Sequence, residues 1–209
     1  NMTISGPARA GGLFGNVGCG ARTNTDIGYL IGQSTTTYNN YYGLNLINCK
    51  YANLNVTSKY ASGGFAGYVD SESNALVSSV KNTTDQELVI GDNSTITAET
   101  NTSYAGGVFG YVKTNLRIND PEDAANYKNV IINNVSVTAT NQAGGLIGGY
   151  VNNSGSNGYT IKNVTLKNDS VTISKEAHYR YAGGLIGYSD SRILITIMHC
   201  ESEELNVTT

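Results

Sequence analysis

The chain has 209 residues and a formal net charge of -3, and only 14% of its residues are charged. Nucleic acid or an anionic membrane surface would need a clustered excess of Lys and Arg, which the sequence lacks. The longest apolar run, Arg192 to Met198, is far shorter than the ~20 residues that cross a bilayer. We therefore expect one domain over residues 1–209, without a membrane span.

The polar composition favours strands and turns. The chain contains 26 Asn, 22 Thr, 18 Ser, 25 Gly and 15 Tyr, but only 2 Pro and no Trp. Thr and Tyr favour strands, while Asn and Gly favour turns. Disordered chains are poor in aromatic and β-branched residues, and this chain is not. An ordered all-β fold is predicted.

A glycine-rich segment, such as "AGGLIG" from Ala182, recurs along the chain. Its second glycine stands at Gly12, Gly64, Gly107, Gly145 and Gly184, with spacings of 52, 43, 38 and 39 residues. A degenerate copy, "GYLIG", occupies residues 28–32 within the longest interval. Self-similarity at such a period indicates a repeat architecture.

Each copy is predicted to be a strand, because its three glycines would each cost a helix about 1 kcal/mol relative to Ala. Further runs with strand-like alternation lie between the copies, at residues 46–57, 129–140, 159–173 and 193–208. The period leaves no room for crossover helices. The sequence therefore predicts a parallel β-solenoid, or β-helix, of about five repeats, right-handed by the preferred crossover hand.

Equivalent residues of the repeats should stack in columns about 4.8 Å apart, with glycine where backbone passes close to another layer. The first apolar column is predicted to contain Leu13, Phe65, Val108, Leu146 and Leu185, and the second Phe14, Ala66, Phe109, Ile147 and Ile186. Two tyrosine columns are expected, Tyr68, Tyr111, Tyr150 and Tyr188 in one and Tyr60, Tyr104 and Tyr181 in the other. We interpret both as structural, because stacked aromatic side chains stabilise a fold.

One segment interrupts the repeats. The stretch "INDPEDAANY" from Ile118 has Pro121 at a first helical position, after a capping Asp120, and predicts a short helix in an insertion at about 113–129. Its carboxylates Asp120, Glu122 and Asp123 could bind calcium, but they lack EF-hand spacing and suit the start of a helix. We predict no metal site and no cofactor.

Catalytic signatures are absent from the sequence. The histidines His178 and His199 have no neighbouring ligand motif, and no nucleophile elbow or phosphate loop occurs. The carboxylates Asp70, Glu72 and Asp190 each follow a motif tyrosine and are the candidates for a polysaccharide-cleaving β-helix. They would equally serve as solvated turn residues, and we predict no enzyme.

Three cysteines cannot all pair within one chain. Cys49 and Cys200 occupy equivalent repeat positions, four repeats apart, which exceeds the ~7 Å limit between bridged Cα atoms. The only intrachain pair left open is Cys19 with Cys49.

Asn-X-Ser/Thr sequons are more frequent than the composition predicts. If the source glycosylates proteins, several would carry surface glycans; otherwise Asn and Thr alternate because strand ladders favour them. The candidate asparagines are Asn1, Asn55, Asn82, Asn93, Asn101, Asn134, Asn152, Asn163, Asn168 and Asn206.

The recurring "AGGLIGY" and "AGGVFGY" resemble the GLUG motif, which forms arrays in large bacterial surface proteins, including adhesin-like proteins. The resemblance extends over nearly the whole chain through its periodicity. It departs at Ala66, which replaces the second apolar residue, and at Tyr29, which replaces a glycine. It implies a non-enzymatic module at the cell surface or outside the cell, and it carries no catalytic residue.

The two ends of the chain share a repeat phase, since Asn1 lies 11 residues before Gly12 and Asn206 begins the same form. Uncapped terminal strands recruit other chains. We expect a cropped or processed chain that stacks on further copies, or on further repeats of a longer parent, as a fibre. The alternative is a carbohydrate-binding or carbohydrate-cleaving β-helix.

Overall fold

The computed structural model describes residues 1–19, 44–71, 77–82, 86–119, 128–152, 159–174, 180–191 and 194–209. All regular structure in these ranges is β, and no helix occurs there. In chain order the strands are β1 (Met2–Gly6), β2 (Arg9–Gly11), β3 (Phe14–Cys19), β4 (Asn45–Ile47), β5 (Leu54–Ser58), β6 (Ala61–Gly63), β7 (Ala66–Ser71), β8 (Val77–Lys81), β9 (Leu88–Ile90), β10 (Ser94–Ala98), β11 (Tyr104–Gly106), β12 (Phe109–Lys113), β13 (Asn115–Ile118), β14 (Val130–Asn133), β15 (Val135–Ala139), β16 (Gln142–Gly144), β17 (Ile147–Asn152), β18 (Tyr159–Lys162), β19 (Val164–Lys167), β20 (Ser170–Ile173), β21 (Tyr181–Gly183), β22 (Ile186–Ser191), β23 (Ile195–Met198), β24 (Glu201–Glu203) and β25 (Asn206–Thr208).

These strands form five parallel sheets, which we name A to E. Sheet A has the order β1-β5-β10-β15-β20-β25, sheet B β2-β6-β11-β16-β21, sheet C β3-β7-β12-β17-β22, sheet D β4-β8-β13-β18-β23 and sheet E β9-β14-β19-β24. Successive strands of the chain belong to sheets A, B, C, D and E in turn, and the next strand then pairs beside the previous strand of sheet A. Among the described residues, the first pass has no strand of sheet E, since β5 follows β4. The all-β parallel prediction is confirmed, and the strand stack is that of a β-helix or solenoid-like fold.

The core runs along the inside of the stack as columns of apolar side chains. In sheet A, for example, Val56, Ile96 and Val137 lie in register and are fully buried. Outward positions of the same strands are polar, so the alternation that identified strands in the sequence also separates core from surface. The long columns replace the compact core of an ordinary domain.

Most corners on either side of sheet E are made by residues with a left-handed backbone. Between sheets D and E these are Asn48, Asn119, Asn163 and His199, and between sheets E and A they are Asn53, Asn93, Asn134, Asn168 and Glu204, all with φ between 49° and 55°. Asparagine tolerates this conformation better than other residues with a Cβ. The runs at 129–140 and 159–173 are therefore chains of two and three strands, bent at asparagines.

Part of the predicted insertion at about 113–129 lies in the strand stack. Residues 115–118 form β13, which pairs with β8 on one side and β18 on the other, so they belong to the stack. The predicted helix lies mainly on residues 120–127, which are outside the described residues. The degenerate copy at 28–32 is outside them as well.

Candidate functional site

The motif glycines form one column in which backbone contacts backbone. The amide of Gly64 donates to the carbonyl of Gly107 at 3.2 Å, and the amide of Gly107 donates to that of Gly145 at 3.1 Å. Gly12 and Gly184 extend the column at its two ends. A Cβ on Gly107 would lie 2.2 Å from the oxygen of Gly145. This close approach is the physical reason for glycine at the second motif position.

The apolar residues that follow these glycines also stack. Backbone hydrogen bonds run from Leu13 to Phe65, from Phe65 to Val108, and on through Leu146 to Leu185. The three central members are buried, whereas Leu13, which lies between β2 and β3 of the first pass, is 56% exposed. The second column, Phe14, Ala66, Phe109, Ile147 and Ile186, is in register as predicted.

Tyr150 does not belong to the predicted tyrosine column. Tyr68 pairs with Tyr111, but the next residues in register are Gly149 and Tyr188. The extra glycine in "GGY" shifts Tyr150 by one position, and a shift of one residue turns a side chain to the other face of a sheet. Tyr150 is therefore fully buried in the core, 4.4 Å from Tyr159 between ring centroids.

The second tyrosine column is also offset at one member. Tyr104 and Tyr181 both pair with Gln142, but Ala61, not Tyr60, faces Tyr104, because "YASGG" has one residue more than "YAGG". The inward motif position of this copy is then Ser62, which is buried and hydrogen-bonds the hydroxyl of Ser58 at 2.8 Å.

The tyrosines pack mainly against one another. Tyr68 and Tyr111 are stacked with centroids 5.0 Å apart, and Tyr104 lies 4.5 Å from Tyr111. The guanidinium of Arg9 covers the ring of Tyr68 at 3.8 Å. Burial raises the pKa of Tyr68 and of Tyr104 to about 12, so both hydroxyls are neutral donors at ordinary pH. We name this cluster of packed tyrosines along sheets B and C the tyrosine seam. Its central members, Tyr68 and Tyr111, are buried.

Asp70 and Asp190 cannot act as a pair. They occupy one column of sheet C, on β7 and β22, with two strands between them. Three strand spacings amount to about 14 Å. A pair of catalytic carboxylates in a glycosidase is separated by about 5–9.5 Å. Asp70 instead forms an ion pair with Lys113 at 3.6 Å, and Glu72 lies outside the described residues.

Metal-ligand clusters are not found among the described residues, since no group of three His, Cys, Asp or Glu side chains converges there. His199 occupies a left-handed corner equivalent to that of Asn163. His178, Asp120, Glu122 and Asp123 lie outside the described residues.

Cys49 and Cys200 are free thiols on different turns of the stack. Burial raises the pKa of the Cys200 thiol. Cys19 ends β3, and its side chain lies outside the described part of the structure.

The sequons divide by exposure. Asn82 is fully buried, and its amide donates to the carbonyls of Gln86 and of two residues in the next turn, so the fold leaves no room for a glycan there. Asn163 is half-buried, and the side chain of Asn152 lies outside the described structure. The exposed candidates are Asn1, Asn55, Asn93, Asn101, Asn134, Asn168 and Asn206.

The corner between sheets E and A explains much of the sequon excess. Asn93, Asn134 and Asn168 supply the left-handed corner, the next residue points inward, and the third is an outward Ser or Thr of sheet A. In β5 and β25 the Asn and the Thr of the sequon are the two outward residues of the same strand, as Asn55 and Thr57 are in β5. The pattern Asn-X-Ser/Thr thus fits both the corner and the strand.

Corner asparagines also bond between turns. The amide of Asn93 donates to the side-chain oxygen of Asn53 at 3.0 Å, and that of Asn168 donates to Asn133 at 3.3 Å. Sequence reasoning missed these corner ladders. Asparagine at an equivalent position before β5, β10, β15 and β20 of sheet A was the signal that could have found them.

Two polar residues replace apolar ones just inside that corner. Leu54, Ser94, Val135, Asp169 and Leu205 follow the corner residues and occupy equivalent positions. The amide of Leu54 donates to the Ser94 hydroxyl at 3.0 Å, and the amide of Val135 donates to Asp169 Oδ1 at 2.8 Å. Burial raises the pKa of Asp169 to about 7. Neither residue was a candidate from the sequence.

The outward side of sheet A carries a regular array of small polar side chains, which we name the hydroxyl face. Its first column is Thr3, Asn55, Thr95, Ser136, Ser170 and Asn206, and its second is Ser5, Thr57, Thr97, Thr138, Thr172 and Thr208. Pairing is continuous across all six strands. The two columns therefore form a lattice with one residue of each column per strand.

Comparison of the chain with protein-family models, with curated proteins and with solved structures gave no match. Within the described ranges, no helix has the length and apolar character needed to span a membrane.

Proposed function

We propose that the chain is a non-enzymatic structural repeat module of an extracellular or cell-surface fibre, stalk or adhesin. The observation that supports this role is the stacking of the five sheets, in which successive passes of the chain add strands in register to sheets A to D and, after the first pass, to sheet E. The resemblance of "AGGLIGY" to the GLUG motif supports the same setting. The proposed architecture is a right-handed solenoid of about five coils.

Such a stack extends in one direction. Each added coil lengthens it by about 4.8 Å, and neighbouring coils are joined by backbone hydrogen bonds along all sheets. A module of this kind supplies length and rigidity, and it presents the same faces repeatedly to the surroundings.

The proposed partner is another copy of the chain, or further repeats of a longer chain, stacked end to end. The outer strands carry apolar side chains that their inner counterparts bury: Ile197 on β23 is 47% exposed, whereas Ile161 beside it is fully buried. Unpaired strand edges with apolar residues favour addition of a further strand. Continued stacking would cover them.

Electron microscopy and sedimentation at micromolar concentration test the assembly. We expect rods or filaments, and Ile197→Lys should shift the material to a 22 kDa monomer. Thr196→Lys is the matched control, because its side chain points outward on the same strand. A monodisperse 22 kDa wild-type monomer would refute self-assembly and leave stacking within a longer chain.

Glycosylation at the exposed sequons is part of the proposal, and glycopeptide mass spectrometry after secretion from a eukaryotic host tests it. We expect occupancy at exposed sites such as Asn101 and none at the buried Asn82. Complete occupancy at Asn82 would contradict the fold around it.

The alternative, a carbohydrate-binding or carbohydrate-cleaving β-helix, has weaker support. The row of tyrosines exists, but Tyr68 and Tyr111 are only 8% and 9% exposed, and Asp70 and Asp190 are far apart. The open cleft beside Tyr60, lined also by Arg9 and Asn16, is the place to which soluble oligosaccharides would bind under this alternative. Chemical-shift changes confined to that cleft on oligosaccharide addition would favour it.

A further inference from the structure

The hydroxyl face differs from the other outward surfaces in its uniform chemistry. All twelve of its positions are Thr, Ser or Asn, with no charged, aromatic or large apolar side chain. Sheet D, in contrast, carries Arg117 and Lys162 outward, and sheet E carries Lys167 and Glu203. Structural needs of the sheet alone would tolerate such charges on sheet A as well.

The geometry of the face is a two-dimensional lattice. Neighbouring strands are about 4.8 Å apart, and the two outward residues of one strand are about 6.6 Å apart. The register continues without a bulge over the six strands. Its hydroxyls are fixed at their Cβ atoms by a regular backbone, and threonine has few side-chain conformations to lose.

The composition of the face argues against several kinds of ligand. Protein interfaces are centred on aromatic residues and arginine, and pockets for small molecules are concave and mostly apolar. Nucleic acids and anionic surfaces need basic residues. A hydroxyl both donates and accepts a hydrogen bond, so it holds water in either orientation. Ten of the twelve positions carry a hydroxyl, and Asn55 and Asn206 carry an amide that also donates and accepts. The Ser170 hydroxyl donates to that of Ser136 at 3.1 Å. Water, which both donates and accepts, can bond to groups of this kind across the array.

We propose that the hydroxyl face binds ice. The array is periodic in two directions, about 4.8 Å between strands and about 6.6 Å along a strand, and the face of an ice crystal is likewise periodic in two directions. Threonine hydroxyls hold water at lattice positions, and the intervening methyl groups limit how that water can reorient. Because the face lies along the side of the stack, it is available on a monomer and on a filament alike wherever Asn55 and Asn206 carry no glycan. This proposal goes beyond the structural role.

The test uses the full 209-residue chain from a bacterial host, which leaves Asn55 and Asn206 without glycans. Three measurements are made: partition into a slowly growing ice hemisphere, the shape of single ice crystals, and the gap between melting and freezing points. The wild-type chain should enter the ice, facet the crystals and open the gap.

Two substitutions on the face examine the mechanism. Thr97→Tyr places a bulky ring in the middle of the second column and should abolish all three signals, while Thr97→Val keeps shape and should weaken them. Thr160→Tyr is the matched control, since Thr160 lies outward on β18 of sheet D, and it should behave as wild type. Circular dichroism confirms that each variant is folded.

The proposal is overturned if the folded wild-type chain neither enters ice nor opens the gap, or if Thr97→Tyr retains full activity. Binding of the chain to microcrystalline cellulose or chitin, lost in Thr97→Tyr and without any effect on ice, would also overturn it and would assign the face to a polysaccharide surface. Failure to form filaments has no bearing on either result.

Discussion

Replacing Asp169 by Asn should remove a pH dependence of stability that this single buried carboxyl creates. Asp169 is 1% exposed and occupies the inward column between Val135 and Leu205. Asn keeps the side-chain oxygen that accepts a hydrogen bond from the Val135 amide at 2.8 Å, and it cannot ionise. The substitution thus isolates the charge from the hydrogen bond.

The size of the effect follows from the pKa. Burial raises the pKa of Asp169 from 3.8 to about 7 in the folded chain. Below pH 3.8 the carboxyl is protonated in both states, and its contribution to stability is fully present. As the pH rises to about 7 the unfolded chain releases the proton first, so stability falls by about 1.4 kcal/mol per pH unit. Over the interval of about 3 units the loss is about 4 kcal/mol.

Urea unfolding at several pH values, followed by circular dichroism and tyrosine fluorescence, measures this loss. Asp169→Asn should be close to wild type at pH 3.5 and about 4 kcal/mol more stable at pH 8. Asp190→Asn, which removes an exposed carboxylate, controls for the loss of one negative charge. A difference between wild type and Asp169→Asn that stays constant from pH 3.5 to pH 8 would refute the reasoning.

Three further substitutions test the stack by urea unfolding. Gly145→Val should lower the free energy of unfolding by about 3 kcal/mol, because its Cβ would lie 2.4 Å from a backbone oxygen. Gly184→Ala should lower it less, because its Cβ would meet a flexible leucine side chain at 2.8 Å. Equal stabilities of the two variants would contradict the close-approach explanation. Asn134→Val at φ 53° should cost about 1–2 kcal/mol, and Asn134→Gly should be neutral, a ranking whose reversal would argue against the left-handed corner. Tyr111→Ala should lower the free energy of unfolding by about 3–5 kcal/mol and Tyr111→Phe by far less, since the ring is 9% exposed and stacked on Tyr68. A Tyr111→Ala variant that unfolds like wild type would show that the tyrosine seam does not stabilise the stack.

Much of the fold could be predicted from the sequence because the same glycine and apolar positions recur in each repeat. The second glycine of each motif marks a backbone contact, and the glycine column from Gly12 to Gly184 was predicted from its recurrence. The same holds for the apolar pairs, whose alternation and period together imply parallel stacking. Because the local pattern recurs, it predicts which residues of different repeats lie side by side in the stack.

The errors arose where one repeat is a residue longer than its neighbours. Counting from the motif placed Tyr150 with Tyr111, and Tyr60 with Tyr104, but an added Gly149 and an added residue at Ala61–Ser62 shift the pairing. Hydrogen bonding between strands decides which residue absorbs an insertion, and the sequence does not show that choice.

The sequence by itself determined that the chain is all-β, parallel and repetitive, because glycine, β-branched and aromatic residues at a constant period allow few other packings. Only the tertiary structure decided where the chain turns. The corner asparagines have a left-handed backbone conformation, and their side chains form hydrogen bonds between turns. These corners divide runs that look continuous in the sequence into separate strands of sheets D, E and A. Neighbouring turns also decided that Asp169 is buried and that the outward hydroxyls of sheet A align. Those properties depend on contacts between residues about 40 positions apart, which no local pattern contains.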